Sequence, residues 1–357
     1  MDSKLDKIIE SALELNASDI HLKVGTPPAV RVMGDITFLD APPLTEEEIK
    51  NMIYPLIKAQ FIKFFEENGE LDFAFEKEGR ARFRGNLYLQ RGTIALSLRI
   101  IPLRIPSIEE LFLPSVIKNL ASRKSGLILV TGPAGSGKST TLAAIIEYLN
   151  NNFSLNIITI EDPIEFVFLD KKSLISQREI GIDTKSYTNA LKMALREDPN
   201  VIMVGELRDL ETMSVALQAA ETGHLVLSTV HTTDAVTTVE RIIDSFPPHQ
   251  QHQVRVQLSN VLQGIISQRL LKRKDKKGLI PACEVLVGTL GVKKLIREQR
   301  TNELPKIIQE SKLEGMQTFN QHLIELFRKN LIDEKEALSA TPHPSDLALI
   351  LKGITPG

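Results

Sequence analysis

"VTGPAGSGKSTTLAA", Val130 to Ala144, is the stretch on which the fold turns. An apolar run, "LILVT", ends at Thr131, and a helical pattern, "KSTTLAAIIEYLN", begins at Lys138. Between them, Gly132, Pro133, Ala134, Gly135, Ser136, Gly137, Lys138 and Ser139 fit the pattern G-x-x-x-x-G-K-[ST], with Thr140 following. The glycines let backbone N–H groups turn toward phosphate, and the helix behind them offers the positive end of its dipole. Such a loop sets Lys138 on the β- and γ-phosphates of a nucleotide and Ser139 on Mg²⁺. ATP and Mg²⁺ are therefore the expected ligands, and the strand–loop–helix unit predicts a parallel α/β sheet.

The pattern continues in both directions. After the loop, strands "NIITI", "NVIMVG" and "HLVLSTV" alternate with helices "SYTNALKMALRE", "LETMSVALQAAET" and "TTVERIIDSF", and after about Val287 the chain reads as mostly helical. Before the loop, "DSKLDKIIESALEL" has helical apolar spacing at Leu5, Ile8, Ile9, Ala12, Leu13 and Leu15. "SDIHLKVG", "AVRVMGDITFL", "LDFAFEKEG", "ARFRGNLYLQRG" and "TIALSLRII" alternate as strands, the last two as a hairpin at "QRG". The expected organisation is a small α+β domain over 1–104, a proline-bearing linker over 105–115, and an α/β domain over 116–357.

In a parallel sheet, ligands bind beyond the carboxyl ends of the strands. Glu161 follows "NIITI", Glu206 follows "NVIMVG", and His231 follows "HLVLSTV". Phosphoryl transfer to water needs an acid near the metal and a carboxylate that activates the water. Glu206 suits the metal side, together with Ser139; Glu161 suits the water; His231 suits a sensor of the γ-phosphate. His224 and His231 are separated by an odd number of positions along a strand, so they face opposite ways and do not form a metal pair. Arginine must offset charge developing on the phosphate. Arg82 and Arg84 alternate with Ala81 and Phe83 and so share one face, with Arg99 nearby; Arg208 and Arg241 have a weaker warrant. "QRLLKRKDKKG", Gln268 to Gly278, reads as a solvated basic loop.

Composition narrows the partners. The chain is 42% apolar and 25% charged, with a net charge of −2 and one cysteine. That is ordinary for a globular protein. It excludes an internal disulfide and a multi-cysteine zinc site. It also argues against a nucleic-acid motor, which wants a basic, aromatic-bearing groove. No apolar run approaches the ~20 residues that span a bilayer, and "MDSKLDKIIE" is too polar for a signal peptide. A cytoplasmic place follows, with any membrane contact made through a partner. A regulatory protein that only binds ATP is disfavoured by Glu161, since a sensor needs no water activator.

Taken in order, the motifs resemble the secretion-type ATPases that power type II secretion and type IV pili. "NASDIHLKVGTPPAVRVMGDI" is similar to the family's opening. "GPAGSGKSTT" is similar to its Walker A segment, "ITIEDPIEF" to its Asp box, "LREDPNVIMVGELRDLET" to its Walker B segment, and "TGHLVLSTVHTTDA" to its His box. The resemblance covers nearly the whole chain. It implies a PAS-like N-terminal domain, a RecA-like ATPase domain, and a homohexameric ring. That ring would sit peripherally at the inner face of the cytoplasmic membrane, working on the pilus platform protein. It makes Glu161 the general base, Glu206 the Walker B acid, and His224 and His231 the His-box pair. It carries the phosphate-sensing arginine role to Arg82 or Arg84, and to Arg99. The chain opens directly on the "SDIHL" domain, and assembly and secretion motors usually carry more N-terminal sequence and often a four-cysteine module. This points to the retraction branch, as does "EGMQTFNQHL". "GVKKLIRE", Gly291 to Glu298, departs from that branch's Ala-Ile-Arg-Asn-Leu-type motif by Lys-Lys, which keeps open an accessory retraction paralogue.

Overall fold

The computed structural model describes residues 3–32, 34–77, 80–102, 104–276, 278–341 and 344–351. The chain divides into two compact units, Met1–Arg104 and Ile105–Gly357.

The first unit contains α1 (Ser3–Glu14), β1 (Asp19–Lys23), β2 (Ala29–Val32), β3 (Asp35–Phe38), α2 (Glu46–Ile53), α3 (Ala59–Asn68), β4 (Glu70–Lys77), β5 (Ala81–Gln90) and β6 (Thr93–Pro102). Its strands form one antiparallel sheet in the order β3-β2-β1-β6-β5-β4. The segment expected as one strand, "AVRVMGDITFL", is instead a hairpin of β2 and β3. Gly34, at φ 99°, supplies the reversal there. The β5–β6 hairpin turns through Arg91 and Gly92, both at positive φ, the combination whose twist matches that of the flanking strands.

Strand alternation puts Ala81, Phe83 and Leu87 into a core with Leu5, Ile9, Ile20, Ile49, Ile53 and Leu98. Each of the larger side chains contributes about 1.5–3 kcal/mol by leaving water. Arg82, Arg84 and Asn86 take the other face. Arg84 stands opposite Arg99, Arg99 opposite Asp19, and Asp19 opposite Arg31, so these side chains form one row across three strand pairs. Asp19, buried, accepts from Arg99 Nε at 3.1 Å and lies 3.9 Å from Arg31 Nε.

The second unit contains α4 (Val116–Ala121), β7 (Gly126–Thr131), α5 (Lys138–Asn152), β8 (Asn156–Glu161), β9 (Leu174–Glu179), α6 (Tyr187–Ala194), β10 (Val201–Val204), α7 (Leu210–Glu221), β11 (Leu225–Val230), α8 (Ala235–Asp244), α9 (Pro248–Val261), β12 (Leu262–Lys272) and β13 (Leu279–Val287). Helices α10 (Leu290–Arg297), α11 (Leu304–Glu310), α12 (Phe319–Arg328), α13 (Glu334–Ala340) and α14 (Pro344–Leu351) complete it. The strand order is β13-β12-β7-β11-β10-β8-β9, parallel except for β13. Every residue of β7, β10 and β11 is buried, which is why these strands read as continuous apolar runs rather than alternating ones. Helix starts are fixed locally: Ser186, Asp209 and Asp234 each accept a backbone N–H at the head of α6, α7 and α8.

Two expectations change here. Residues 105–115, expected as a linker, are packed into the second unit, where Ile108 and Leu113 join the core. Prolines restrict such a segment but do not keep its apolar side chains out of a core. "QRLLKRKDKKG" is not one loop: Gln268–Lys272 end β12, and the turn comes only after them. The basic residues misled because they sit at the strand's outer end, where Arg269 stacks 4.8 Å from the Phe319 ring centroid and donates to the Ala340 carbonyl.

Candidate active site

Four neighbouring strands, β7, β11, β10 and β8, end at one edge of the sheet. The loop of residues 132–138 leaves β7, and His231, Glu206 and Glu161 stand at the ends of the other three. They line a cleft of about 510 Å³ together with Asp162, Glu165, Tyr187, Arg208 and Leu270.

The loop is shaped to hold an anion. Gly137, at φ 84°, takes the left-handed turn that starts α5, a conformation side chains resist. Lys138 is buried, and its ammonium donates to the Gly132 and Pro133 carbonyls, each at 2.9 Å. An ammonium carries three donors, so these two bonds fix the charge at the loop and leave one for a ligand. Burial lowers its pKa, and the nearby Glu206 and Glu165 carboxylates oppose that. The Ser136 hydroxyl is buried with no partner among the described residues. A buried orphan of this kind costs about 1–3 kcal/mol, which a phosphate oxygen would relieve. The loop therefore fits a nucleotide phosphate chain.

The carboxylates differ in surroundings. Glu161 is buried and accepts from Thr159 Oγ1 at 2.6 Å and Gln177 Nε2 at 3.0 Å. Burial raises its pKa above the ordinary carboxylate value, against the pull of those two hydrogen bonds. A carboxylate held in place with raised basicity suits proton abstraction from water. Glu206 is bracketed instead by a guanidinium and an imidazole: Arg208 Nε lies 2.6 Å and His231 Nε2 3.4 Å from its Oε2. For Mg²⁺, the donors on offer are the Ser139 hydroxyl and a few carboxylate oxygens lining the cleft. Among the described residues no cluster of three or more acidic, His or Cys ligands forms a cage. That set fits Mg²⁺, which keeps waters and binds through one or two protein oxygens plus phosphate.

Residues 108–330 match the family described as "Type II/IV secretion system protein". The type IV pilus retraction ATPase PilT of Pseudomonas aeruginosa is 44% identical over 342 residues, covering 96% of this chain and 99% of its own. The chain belongs to the type II/IV secretion protein family. The twitching motility protein of Neisseria gonorrhoeae is 46% identical over 335 residues, covering 94% and 89% of the two chains. A crystal structure of the pilus retraction motor PilT with bound ADP superposes with a TM-score of 0.87 at 51% identity, covering 96% and 98%.

Within this secretion-family chain, Lys138, Ser139, Glu161, Glu206 and His231 share the cleft. His224 does not: it sits just before β11, at the opposite edge of the sheet from the phosphate loop. Its Nδ1 is hydrogen-bonded to the Ala219 carbonyl at 3.0 Å, closing the end of α7. The odd spacing from His231 placed the two on different faces, and the strand between them carries them to different ends as well. Arg84 and Arg99 are exposed on the first unit's sheet, and Arg82 is half-buried beside them. Sequence reasoning missed Glu165, Tyr187 and Gln177. Glu165 falls in the irregular stretch after Glu161, and Gln177 lies on β9, a half-exposed edge strand whose polar "SQRE" hid its periodicity. Tyr187 opens α6, and its hydroxyl lies close over Gly205, where an added Cβ would sit 2.9 Å away.

Proposed function

We propose that the protein is a homohexameric ATPase motor that hydrolyses ATP to retract type IV pili. The single observation that carries this is the delivery of the phosphate loop, His231, Glu206 and Glu161 by adjacent strands into one cleft, in a chain similar end to end to retraction ATPases. Lys138 and the loop N–H groups hold the β- and γ-phosphates. Ser139 and Glu206 hold Mg²⁺, which when bound neutralises charge on the phosphate oxygens. Glu161 takes the proton from the attacking water. His231, beside Glu206, senses the γ-phosphate through that carboxylate. Arg82, Arg84 and Arg99 take the phosphate-sensing role. Arg84 and Arg99 are directly opposed, and Asp19 holds Arg99 from the adjoining strand.

The ring works at the inner face of the cytoplasmic membrane on the pilus platform protein. No helix among the described residues is long and apolar enough to cross a membrane.

Lys138→Ala removes the fixed charge on the phosphates. Turnover measured by phosphate release should fall at least about 10²-fold, the scale for losing one preorganised donor. Near-parental turnover would remove Lys138, and with it the phosphate-loop assignment, from the account.

A further inference from the structure

Strand β12 lies against the back of the phosphate loop, and one side chain on it bridges the loop to the following helix. Gln268 is 1% exposed. Its Nε2 donates to the Ser136 carbonyl at 2.6 Å, and its Oε1 accepts from Thr141 Oγ1 at 2.8 Å. Ser136 is in the loop, and Thr141 is in the first turns of α5. A further contact lies one residue back, where Thr131 Oγ1 donates to Ser267 Oγ at 3.0 Å. The approach is close enough that a Cβ on Gly132 would meet the Gln268 carbonyl oxygen at 2.4 Å. This explains the glycine there independently of phosphate. The strand is itself braced. Gln268 pairs with Cys283 of β13, whose N–H donates to the buried His322 Nδ1 at 2.8 Å, and Gln317 Nε2 donates to the Cys283 carbonyl at 3.0 Å. That gives the "EGMQTFNQHL" segment a place in the same frame.

We propose that Gln268 is a positioning residue for nucleotide binding, setting the shape of the phosphate loop from behind by joining Ser136 to Thr141. The reading rests on the cleft being a nucleotide site. The chemistry selects glutamine. The bridge needs a donor and an acceptor on one side chain at this length: Glu lacks the donor and brings a buried charge toward the phosphates, and Asn is one methylene short. With the bridge gone, the buried Ser136 carbonyl loses its partner and the loop relaxes from the form that matches phosphate. Gln268 touches no reacting atom, so its loss should weaken binding rather than the chemical step.

The test uses the full chain, with ADP titration and steady-state ATP turnover. Gln268→Met, of similar length and without hydrogen bonds, should raise the Kd for ADP and the KM for ATP about tenfold, with kcat within about threefold of the parent. Gln268→Asn should fail to restore affinity. Because a buried substitution can compromise folding, Thr141→Val, which removes the bridge from its other end, is measured beside Thr141→Ser, which keeps the hydroxyl. Val should weaken ADP binding and Ser should not, and Thr141→Val added to Gln268→Met should cost little more than Gln268→Met alone. Unchanged ADP affinity in folded Gln268→Met or Thr141→Val overturns the proposal, as does a fall in kcat at parental KM. A parent chain that binds no ADP overturns the nucleotide-site reading as well.

Discussion

Glu161→Gln is expected to bind ATP as the parent does and to lose turnover by about 10²-fold or more. The amide keeps an oxygen for the hydrogen bonds from Thr159 and Gln177, so the side chain stays where it is. What disappears is the ionisable carboxyl that the proposal makes the proton acceptor. The direction of its pKa gives a second readout. Burial raises the Glu161 pKa, so the parent's activity should decline, as pH falls, from a point above the ordinary glutamate range. An acid with a raised folded-state pKa contributes stability below its unfolded pKa and loses it as pH rises through the folded one. Wherever it is ionised, the buried Glu161 is therefore a burden on the fold, and the glutamine variant should unfold at the same or higher denaturant than the parent. Loss of turnover with unimpaired stability and unimpaired ATP affinity identifies the base. Parental turnover would pass that role to another carboxylate of the cleft, Glu165 or Asp162.

Arg84→Ala combined with Arg99→Ala is expected to retain nucleotide binding and ring assembly while losing hydrolysis. The two guanidinium groups stand opposite each other on β5 and β6, and Asp19 holds Arg99 from the adjoining strand. A charge-assisted hydrogen bond is worth about 1.5–3 kcal/mol. Two made only while a γ-phosphate is present would favour the γ-phosphate-bound form by about 10²–10⁴-fold. Phosphate release would remove that bias. Nucleotide affinity, particle size and turnover of the double variant separate the possibilities. Unchanged turnover would sink the arginine mechanism, and loss of the ring would make these arginines structural.

The cleft could be read from the sequence because a parallel sheet brings the carboxyl ends of its strands to one edge. Once "LILVT" was a strand with a phosphate loop behind it, the residues after the other apolar runs had to gather nearby, and Glu161, Glu206 and His231 do. His224 begins its strand rather than following one, so the opposite edge receives it. Charged and catalytic types announce themselves in a sequence, whereas neutral amides do not. Gln177 and Gln268 shape the site from within β9 and β12, and nothing in their local pattern separates them from solvent-facing glutamines. The start of α7 was local and so legible, "LETMSVALQAAET" beginning where the helix does, but the packing of 105–115 depended on a core formed by distant strands. The arginine face was visible as alternation along β5. The row it forms with Asp19 and Arg31 needed the strand order.

The central claim, that the motor removes pilins, is tested most directly on cells of the source organism lacking the chain, complemented with the parent or with Glu161→Gln, and scored for surface pili and twitching. The account predicts abundant pili that do not retract and no twitching in the deletion, restored by the parent and not by Glu161→Gln. Cells without surface pili would contradict it and make the chain an assembly motor.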